Sequence, residues 1–479
     1  MLRSVLRAGA AGMTRSQAAT AQDRRLHTTL RRAVKGLLPT GGRPARAVLT
    51  GFAAAILLGT LLLMLPVSRE GDGAADFITA LFTSTSAVCV TGLIVVDTPE
   101  YWSTFGEVVI LILIQAGGLG IMTMASLLGL LISRRLGLRM QLTAQTETKS
   151  LGLGNVRKVV ANVVKISLGF EAVLAIVLTA RLMTTYDHSF GYAVYSGVFH
   201  AISAFNNAGF SIYTDNLVRF ATDPWITLPI AAAVICGGIG FPVLFEIARR
   251  TRGPRQWSLH TKITLLTTAV LLVVGFAFIL LAEWSNPKTL GPLDVGGKLV
   301  AAFFAAVMPR TAGFNTLDIA ELHPATLLMH DVLMFIGGGS AGTAGGIKVT
   351  TFALLAFVIL AEIRGEPTVH VLGRRLPALV QRQALTIALL GVGMVMVSTI
   401  ALLSITDHDL DRVLFEVISA FGTVGLSTGI TESVTPVGEL ILTLLMFIGR
   451  LGPITTATAL ALRDRPRRFE LPEERPIVG

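Results

Sequence analysis

Four times in this chain a phenylalanine is followed ten residues later by a glycine, and the glycine by Leu or Phe. The pairs are Phe82 and Gly92, Phe199 and Gly209, Phe303 and Gly313, and Phe415 and Gly425, with Leu93, Phe210, Phe314 and Leu426 next. The stretches read FTSTSAVCVTGL, FHAISAFNNAGF, FFAAVMPRTAGF and FEVISAFGTVGL, and their glycines stand 117, 104 and 112 residues apart. Self-similarity at such a spacing means one structural unit used repeatedly. Four Gly-centred turns are what a single chain needs to surround an axis, and no other feature restricts the fold as much.

Hydrophobic residues make up 52% of the 479 and charged residues 15%. A soluble chain of that length could not hide so much apolar surface, so the class is a multi-spanning membrane protein. Eight long apolar segments run approximately over 47–66, 107–133, 159–180, 225–247, 263–282, 326–361, 384–404 and 437–462. Each reaches the ~20 residues that a membrane-crossing helix needs, although the third contains Lys165 and Glu171. Each Phe-to-Gly stretch falls between an odd and an even segment. The expected fold is an all-α polytopic membrane protein: eight transmembrane helices as four helix–pore loop–helix repeats around a pseudo-four-fold central pore. The expected division is a basic N-terminal tail over 1–46, repeats over 47–133, 134–247, 248–361 and 362–462, and a C-terminal tail over 463–479.

Charge gives the orientation. Of the 40 Lys and Arg residues, 10 lie in 1–46, 6 in 134–158, 5 in 249–262, 4 in 364–382 and 5 beyond 462. All these stretches lie opposite the glycine turns. Lys/Arg enrichment marks the cytoplasmic face, so both termini are expected inside a multi-pass protein of the cell membrane. The net charge of +10 thereby has a topological explanation, and no motif points to nucleic acid. The first 46 residues read as a basic tail rather than a transit peptide, because no apolar run precedes 47. Membrane lipid is the first partner, and anionic-lipid contact by the tail is left open.

Irregular backbone at membrane depth is tolerated where it is buried in protein or lines a watery path. Glycine reaches positive φ without a Cβ clash and lets neighbouring carbonyls turn to one axis. Four such turns give a ring of carbonyl oxygens able to replace a cation's hydration shell. The residues concerned are Val90, Thr91 and Gly92; Asn207, Ala208 and Gly209; Thr311, Ala312 and Gly313; and Thr423, Val424 and Gly425. They are uncharged and mostly small or hydroxyl-bearing, as a carbonyl-lined filter requires. Asp97, Asp215, Asp318 and Glu432 follow the turns, as cation-concentrating charges at an outer mouth or as solvated loop residues. Arg310 stands three residues before Gly313 and is expected to point away from a cation path, toward an acid behind the pore helix. A lone glycine would suit close helix packing; four in register, each after a stretch too short to span, point to pore loops.

The segments after the turns carry a second repeated feature. Three read IQAGGLGIMT, ICGGIGFPV and IGRLGPITT, but the third repeat has IGGGSAGTAGGIKVTT from Ile336 to Thr351, with six glycines. Glycine is poor in helix interiors, so this segment is expected to break around 337–346. Lys348 ends the break and Arg450 sits inside the last segment; charges at membrane depth are functional candidates. A phosphate loop is excluded, because Ile347 separates Gly346 from Lys348. A plug below the filter fits better, with Arg450 an electrostatic barrier or a clamp for it. Cys89 and Cys236 read as packing residues, and His330, Asp331 and Glu171 as packing or dimer contacts. The histidines show no ligand spacing, so an enzyme is not expected. A secondary cation carrier, sodium- or proton-coupled with broken helices, is the alternative. It calls for inverted repeats, whereas basic links on one side make these repeats parallel.

These features resemble the superfamily of Trk, Ktr and HKT potassium transporters over roughly 45–462. The specific elements are the four single-glycine loops, the GGGSAGTAGGIK stretch and the arginine in IGRLGPITT. Eight spans are most similar to the Ktr-type membrane subunit. The resemblance implies potassium uptake, with potassium held by backbone carbonyls of the filter and no covalently bound cofactor. It implies that Gly337, Gly338, Gly339, Ser340, Ala341, Gly342, Thr343, Ala344, Gly345, Gly346 and Lys348 form an intramembrane gating loop, with Arg450 at the gate. It also implies a homodimer on a cytosolic ring of nucleotide-binding regulatory subunits, and sodium as an activator in some members. Glycine rather than serine at Gly92 is the pattern associated there with potassium over sodium. Selectivity is then shared by all four repeats, and gating belongs to the third and fourth.

Overall fold

The computed structural model describes residues 44–135, 156–248 and 253–452. Nearly all of the basic tail 1–46, most of the link 134–158, the tail 463–479 and the end of the last apolar segment lie outside these residues. Contacts divide the chain into Phe52–Ala457, the body described below, and a unit drawn from Met1–Gly51 and Thr458–Gly479.

Divided at the expected repeat boundaries, the chain has α1 (Pro44–Leu63), α2 (Phe77–Cys89) and α3 (Thr104–Arg135) in the first, and α4 (Val156–Thr185), α5 (Phe190–Phe205), α6 (Pro224–Ile239) and α7 (Phe241–Ala248) in the second. The third comprises α8 (Leu259–Glu283), α9 (Val295–Val307), α10 (Pro324–Ile336) and α11 (Val349–Ile363). A hairpin of β1 (His370–Val371) and β2 (Arg374–Arg375) leads to the fourth, α12 (Ala378–Leu403), α13 (Leu410–Gly422) and α14 (Pro436–Leu451). Val371 and Leu376 of the basic link pack with Ile263 of α8 and Ala353 and Ala361 of α11. Among the described residues, three helices are long and apolar enough to cross a membrane alone, Val160–Thr185, Leu259–Glu283 and Ala378–Leu403.

Segment 326–361 breaks between α10 and α11, as its glycines require. Segment 225–247, expected to be continuous, also breaks: α6 and α7 are bent by 102° at Gly240. The reason is local. Pro242 has no N–H to continue the helical bond to Gly238 O, and Gly240 takes φ +100. The released Gly238 carbonyl accepts instead from Gly339 N at 2.7 Å, and Gly237 O from Thr343 N at 3.2 Å.

The short helices α2, α5, α9 and α13 have 13, 16, 13 and 13 residues. At 1.5 Å per residue they reach only about 20–24 Å, short of a hydrocarbon layer of about 30 Å. Asp76 and Asp294 cap two of them by accepting from first-turn N–H groups, and Pro224, Pro324 and Pro436 open α6, α10 and α14 at the position where no N–H is needed. Each short helix packs on the second helix of the preceding repeat: α5 on α3, α9 on α6, α13 on α10 and α2 on α14. The last of these contacts closes a ring.

Candidate functional site

The glycine turns meet in cyclic order. A Cβ on Gly92 would strike Ala208 O and lie 3.1 Å from Gly209 Cα; one on Gly209 would lie 2.7 Å from Ala312 O and 2.8 Å from Gly313 Cα. One on Gly313 would strike Val424 O, 3.1 Å from Gly425 Cα, and one on Gly425 would strike Thr91 O, 3.0 Å from Gly92 Cα. Repeats follow one another around this ring, so the second and fourth lie diagonally, as do the first and third. Each glycine therefore abuts the carbonyl that precedes the next glycine, and no side chain fits there.

The backbone conformation repeats as well. The glycines have φ of +91, +70, +73 and +94, and Val90, Asn207, Thr311 and Thr423, two residues earlier, have +56, +60, +69 and +49. Left-handed Val and Thr are genuine outliers, each costing about 1–3 kcal/mol, and such strain persists only where its surroundings enforce it. Only Asn207 is a residue type that favours positive φ; nothing marks Val90, Thr311 and Thr423, because β-branched residues argue against it. Each turn follows a short-helix C-terminus by three to six residues, so the negative dipole ends converge on the ring. Thr91 Oγ1, Asn207 Nδ2, Thr311 Oγ1 and Thr423 Oγ1 are buried without a partner among the described residues, which suits a wet or ion-occupied path.

Two supports escaped the sequence reading although a signal exists. A serine six residues before the glycine braces three turns: Ser86 Oγ bonds Gly92 N and Leu93 O, Ser203 Oγ bonds Phe210 O, and Ser419 Oγ bonds Gly425 N, at 2.8–3.1 Å. The third repeat has Val307 there. Second, Gly117, Gly237 and Gly449 let the second helices approach Val88 O, Phe205 O and Phe421 O so closely that a Cβ would clash. Each of these carbonyls lies four residues before a ring glycine.

The stretch 337–348 is an excursion whose ends meet, with Gly337 Cα 3.1 Å from where a Gly346 Cβ would lie, and Val349 N bonded to Gly338 O at 2.9 Å. Lys348, half-buried with φ +76, folds it on itself by donating to Ala344 O and Gly345 O at 2.5 and 3.1 Å. Ser340 Oγ lies 3.0 Å from Thr350 Oγ1, and Ala341 takes φ +61 while its carbonyl accepts from Phe241 N. Thr343 Oγ1 donates to Asn207 Oδ1 at 2.8 Å, and a Cβ on Gly345 would strike Thr423 Oγ1. Asn207 and Thr423 belong to diagonal repeats and precede their ring glycines by two residues. The excursion thus lies across the axis, on the side from which the short helices arrive. Gly339 and Gly342 fit against Ile239 O and Gly237 O of the second repeat, so that repeat holds the excursion too, beyond the two repeats expected.

Arg450, 4% exposed, donates through Nη1 to Thr343 O. Among the described residues its Nε and Nη2 have no partner. Arg310 turns to Thr268, at 3.3 Å from its carbonyl and 3.2 Å from its hydroxyl. No acid partners it among the described residues, contrary to expectation, because the helix behind it offers only a threonine. Asp215 pairs with Arg219 at 2.6 Å, Asp318 caps a turn by accepting from Ala320 N, and Glu432 is exposed. Glu171 accepts from Gln115 and Asn206, just behind the second turn. Cys89 and Cys236 are free thiols.

Four glycine turns thus meet in a ring at the ends of four short helices, with a glycine-rich strap packed against two diagonal turns. Comparison with known proteins gives the family. The sequence model of the TrkH family, described as a cation transport protein, matches residues 52–469. The chain belongs to the TrkH family. It is accordingly an integral membrane transporter and not an enzyme. Ktr system potassium uptake protein B of Bacillus subtilis is 40% identical over 88% of this chain and 94% of its own. Potassium/sodium uptake protein NtpJ of Enterococcus hirae is 34% identical over 91% and 97%. The crystal structure of the potassium transporter TrkH from Vibrio parahaemolyticus superposes with a TM-score of 0.72 over 88% of this chain and 86% of that one, at 18% identity, which supports the fold.

Proposed function

We propose that this TrkH-family chain is the pore subunit of a Ktr-type potassium-uptake system of the plasma membrane. In this reading, eight spans form four parallel helix–pore loop–helix repeats with both termini cytoplasmic, and potassium passes along their common axis. The repeats are those bounded at 47–133, 134–247, 248–361 and 362–462. The observation that carries the reading is the cyclic contact of Gly92, Gly209, Gly313 and Gly425, each against the carbonyl before the next. Those carbonyls, of Thr91, Ala208, Ala312 and Val424, replace potassium's hydration shell. One glycine per turn leaves fewer ordered carbonyl layers than a TVGYG filter, so discrimination between potassium and sodium is looser.

The strap over 337–348 is the gate. It lies between diagonal repeats, is held by Arg450 and the broken helix α6–α7, and must move for ions to pass. The gating signal comes from a cytosolic ring of nucleotide-binding subunits under a homodimer of pores, and sodium acts as an activator; the relatives named for a Ktr system and for potassium/sodium uptake support this. Growth tests the function. A host lacking potassium uptake should grow on limiting potassium when given this chain with a Ktr-type cytosolic subunit, and a chain that is present in the membrane yet never restores growth would refute it.

A further inference from the structure

Behind the ring the four turns are not supported alike. Nine residues before each glycine stand Thr83, His200, Phe304 and Glu416, and two residues after it Ile94, Ser211, Asn315 and Ser427. In the second and fourth repeats these two positions are bonded. His200, 3% exposed, has Nδ1 2.8 Å from Ser196 O and Nε2 3.0 Å from Ser211 Oγ. A carbonyl only accepts, so Nδ1 carries the proton and Nε2 accepts from the Ser211 hydroxyl. The ring is stacked on Tyr213 at 5.0 Å, whose hydroxyl lies 2.6 Å from Ser196 Oγ. Glu416, 0% exposed, accepts from Ser427 Oγ at 2.5 Å, Thr428 N at 2.9 Å and Thr431 Oγ1 at 2.8 Å. In the other two repeats Ile94 and Phe304 carry no polar side-chain atom, so no such bond can form.

We propose that His200 and Glu416 are positioning residues that brace the outer shoulders of two diagonal turns and so determine discrimination among monovalent cations. The inference rests on the reading of the glycine ring as the cation filter. A carbonyl ring rejects the smaller ion only if it cannot close onto it. Carbonyls whose chain is fixed by a buried side chain two residues beyond the glycine resist that closure. The first turn, held by Ser86 as far as Leu93 O, and the third, held at Asn315 O by Leu217 N, lack that side-chain brace and yield more to the ion. Because the braced turns face each other, they set the span across the axis, while the first and third turns adapt. The functional symmetry of the ring is two-fold.

The test uses the full chain in proteoliposomes, reading rubidium uptake against increasing sodium. Ser427→Ala and Ser211→Ala remove only the hydroxyl that each brace holds. Each should lower rubidium-over-sodium discrimination by about fivefold, the scale of one lost net hydrogen bond. Glu416→Ala, which also removes the acceptor of Thr428 N and Thr431 Oγ1, should lose at least as much as Ser427→Ala. The double variant should lose no more than Glu416→Ala alone, since the Ser427 contact is already broken there. Glu416→Gln keeps the acceptor oxygen and should restore discrimination close to the parent. Thr83→Ala, at the same position of a turn without a side-chain bond to the second residue after its glycine, should leave it unchanged. If Ser427→Ala and Ser211→Ala both keep the parent's discrimination while Gly425→Ser alters it, the bracing is refuted and the filter stands. If Gly425→Ser is silent as well, the filter reading falls and takes the bracing with it.

Discussion

Replacing Arg450 by alanine is expected to raise flux in the absence of any regulatory subunit. In the structure the guanidinium donates through Nη1 to Thr343 O, at the middle of the strap, and among the described residues Nε and Nη2 have no partner. A hydrogen bond from a charged donor contributes about 1.5–3 kcal/mol. Its loss shifts the balance between strapped and open states by about 10- to 150-fold, at 1.4 kcal/mol per factor of ten. Folding is checked by the variant's thermal midpoint in detergent, because trimming a buried arginine to alanine also leaves a cavity. The assay is rubidium influx into proteoliposomes holding the pore subunit alone. A clamp and an electrostatic barrier both predict more flux, and the strap separates them. In a variant lacking 338–346 a clamp has nothing to hold, so Arg450→Ala adds nothing, whereas a barrier still adds its full increment. A correctly folded Arg450→Ala with parental basal flux refutes the clamp, and so does full additivity with the deletion.

Deleting 338–346 by itself should give a leakier pore with α10 and α11 intact, since Ile347, which would follow Gly337, already bonds Phe335 O through its N–H at 3.2 Å; basal rubidium influx equal to or below the parent in a folded deletion would remove the strap as gate. Gly92→Ser forces a side chain toward Ala208 O at φ +91, displacing a carbonyl of the neighbouring repeat, and should raise sodium permeation relative to potassium in competitive flux measurements. Gly237→Ala puts a methyl onto Phe205 O and 2.8 Å from Asn207 Oδ1. It should destabilise the body by about 1–3 kcal/mol, seen as a lower thermal midpoint in detergent, whereas Gly169→Ala, with nothing within 4 Å, should not.

The ring glycines are legible in the sequence because only glycine tolerates both the positive φ and the neighbour's carbonyl, so the residue type reports the geometry. The break at 337–348 is legible for a related reason, since six glycines leave little helix propensity. Other features carry weaker marks. The strained Val90 and Thr423 contradict their own propensities and are held by the ring, so no local pattern announces them. The kink at Gly240 depends on Pro242 freeing Gly238 O, and the sequence GIGFP does carry that signal, but its partner Gly339 lies about a hundred residues away. Ser86, Ser203 and Ser419 stand at the same place in three of the four repeated stretches. Their bracing role becomes visible only when the turn after the glycine folds back on them. Arg310 shows the limit of charge reasoning, for a buried arginine can rest on a threonine carbonyl with no acid beside it.

The central claim is that potassium occupies the axis of the four glycine turns. Anomalous diffraction from crystals of the full chain grown in rubidium or thallous salts tests it most directly. A peak is expected on the axis within coordination distance of the carbonyls of Thr91, Ala208, Ala312 and Val424. Heavy-ion peaks elsewhere in the molecule, with none at that ring, would contradict it.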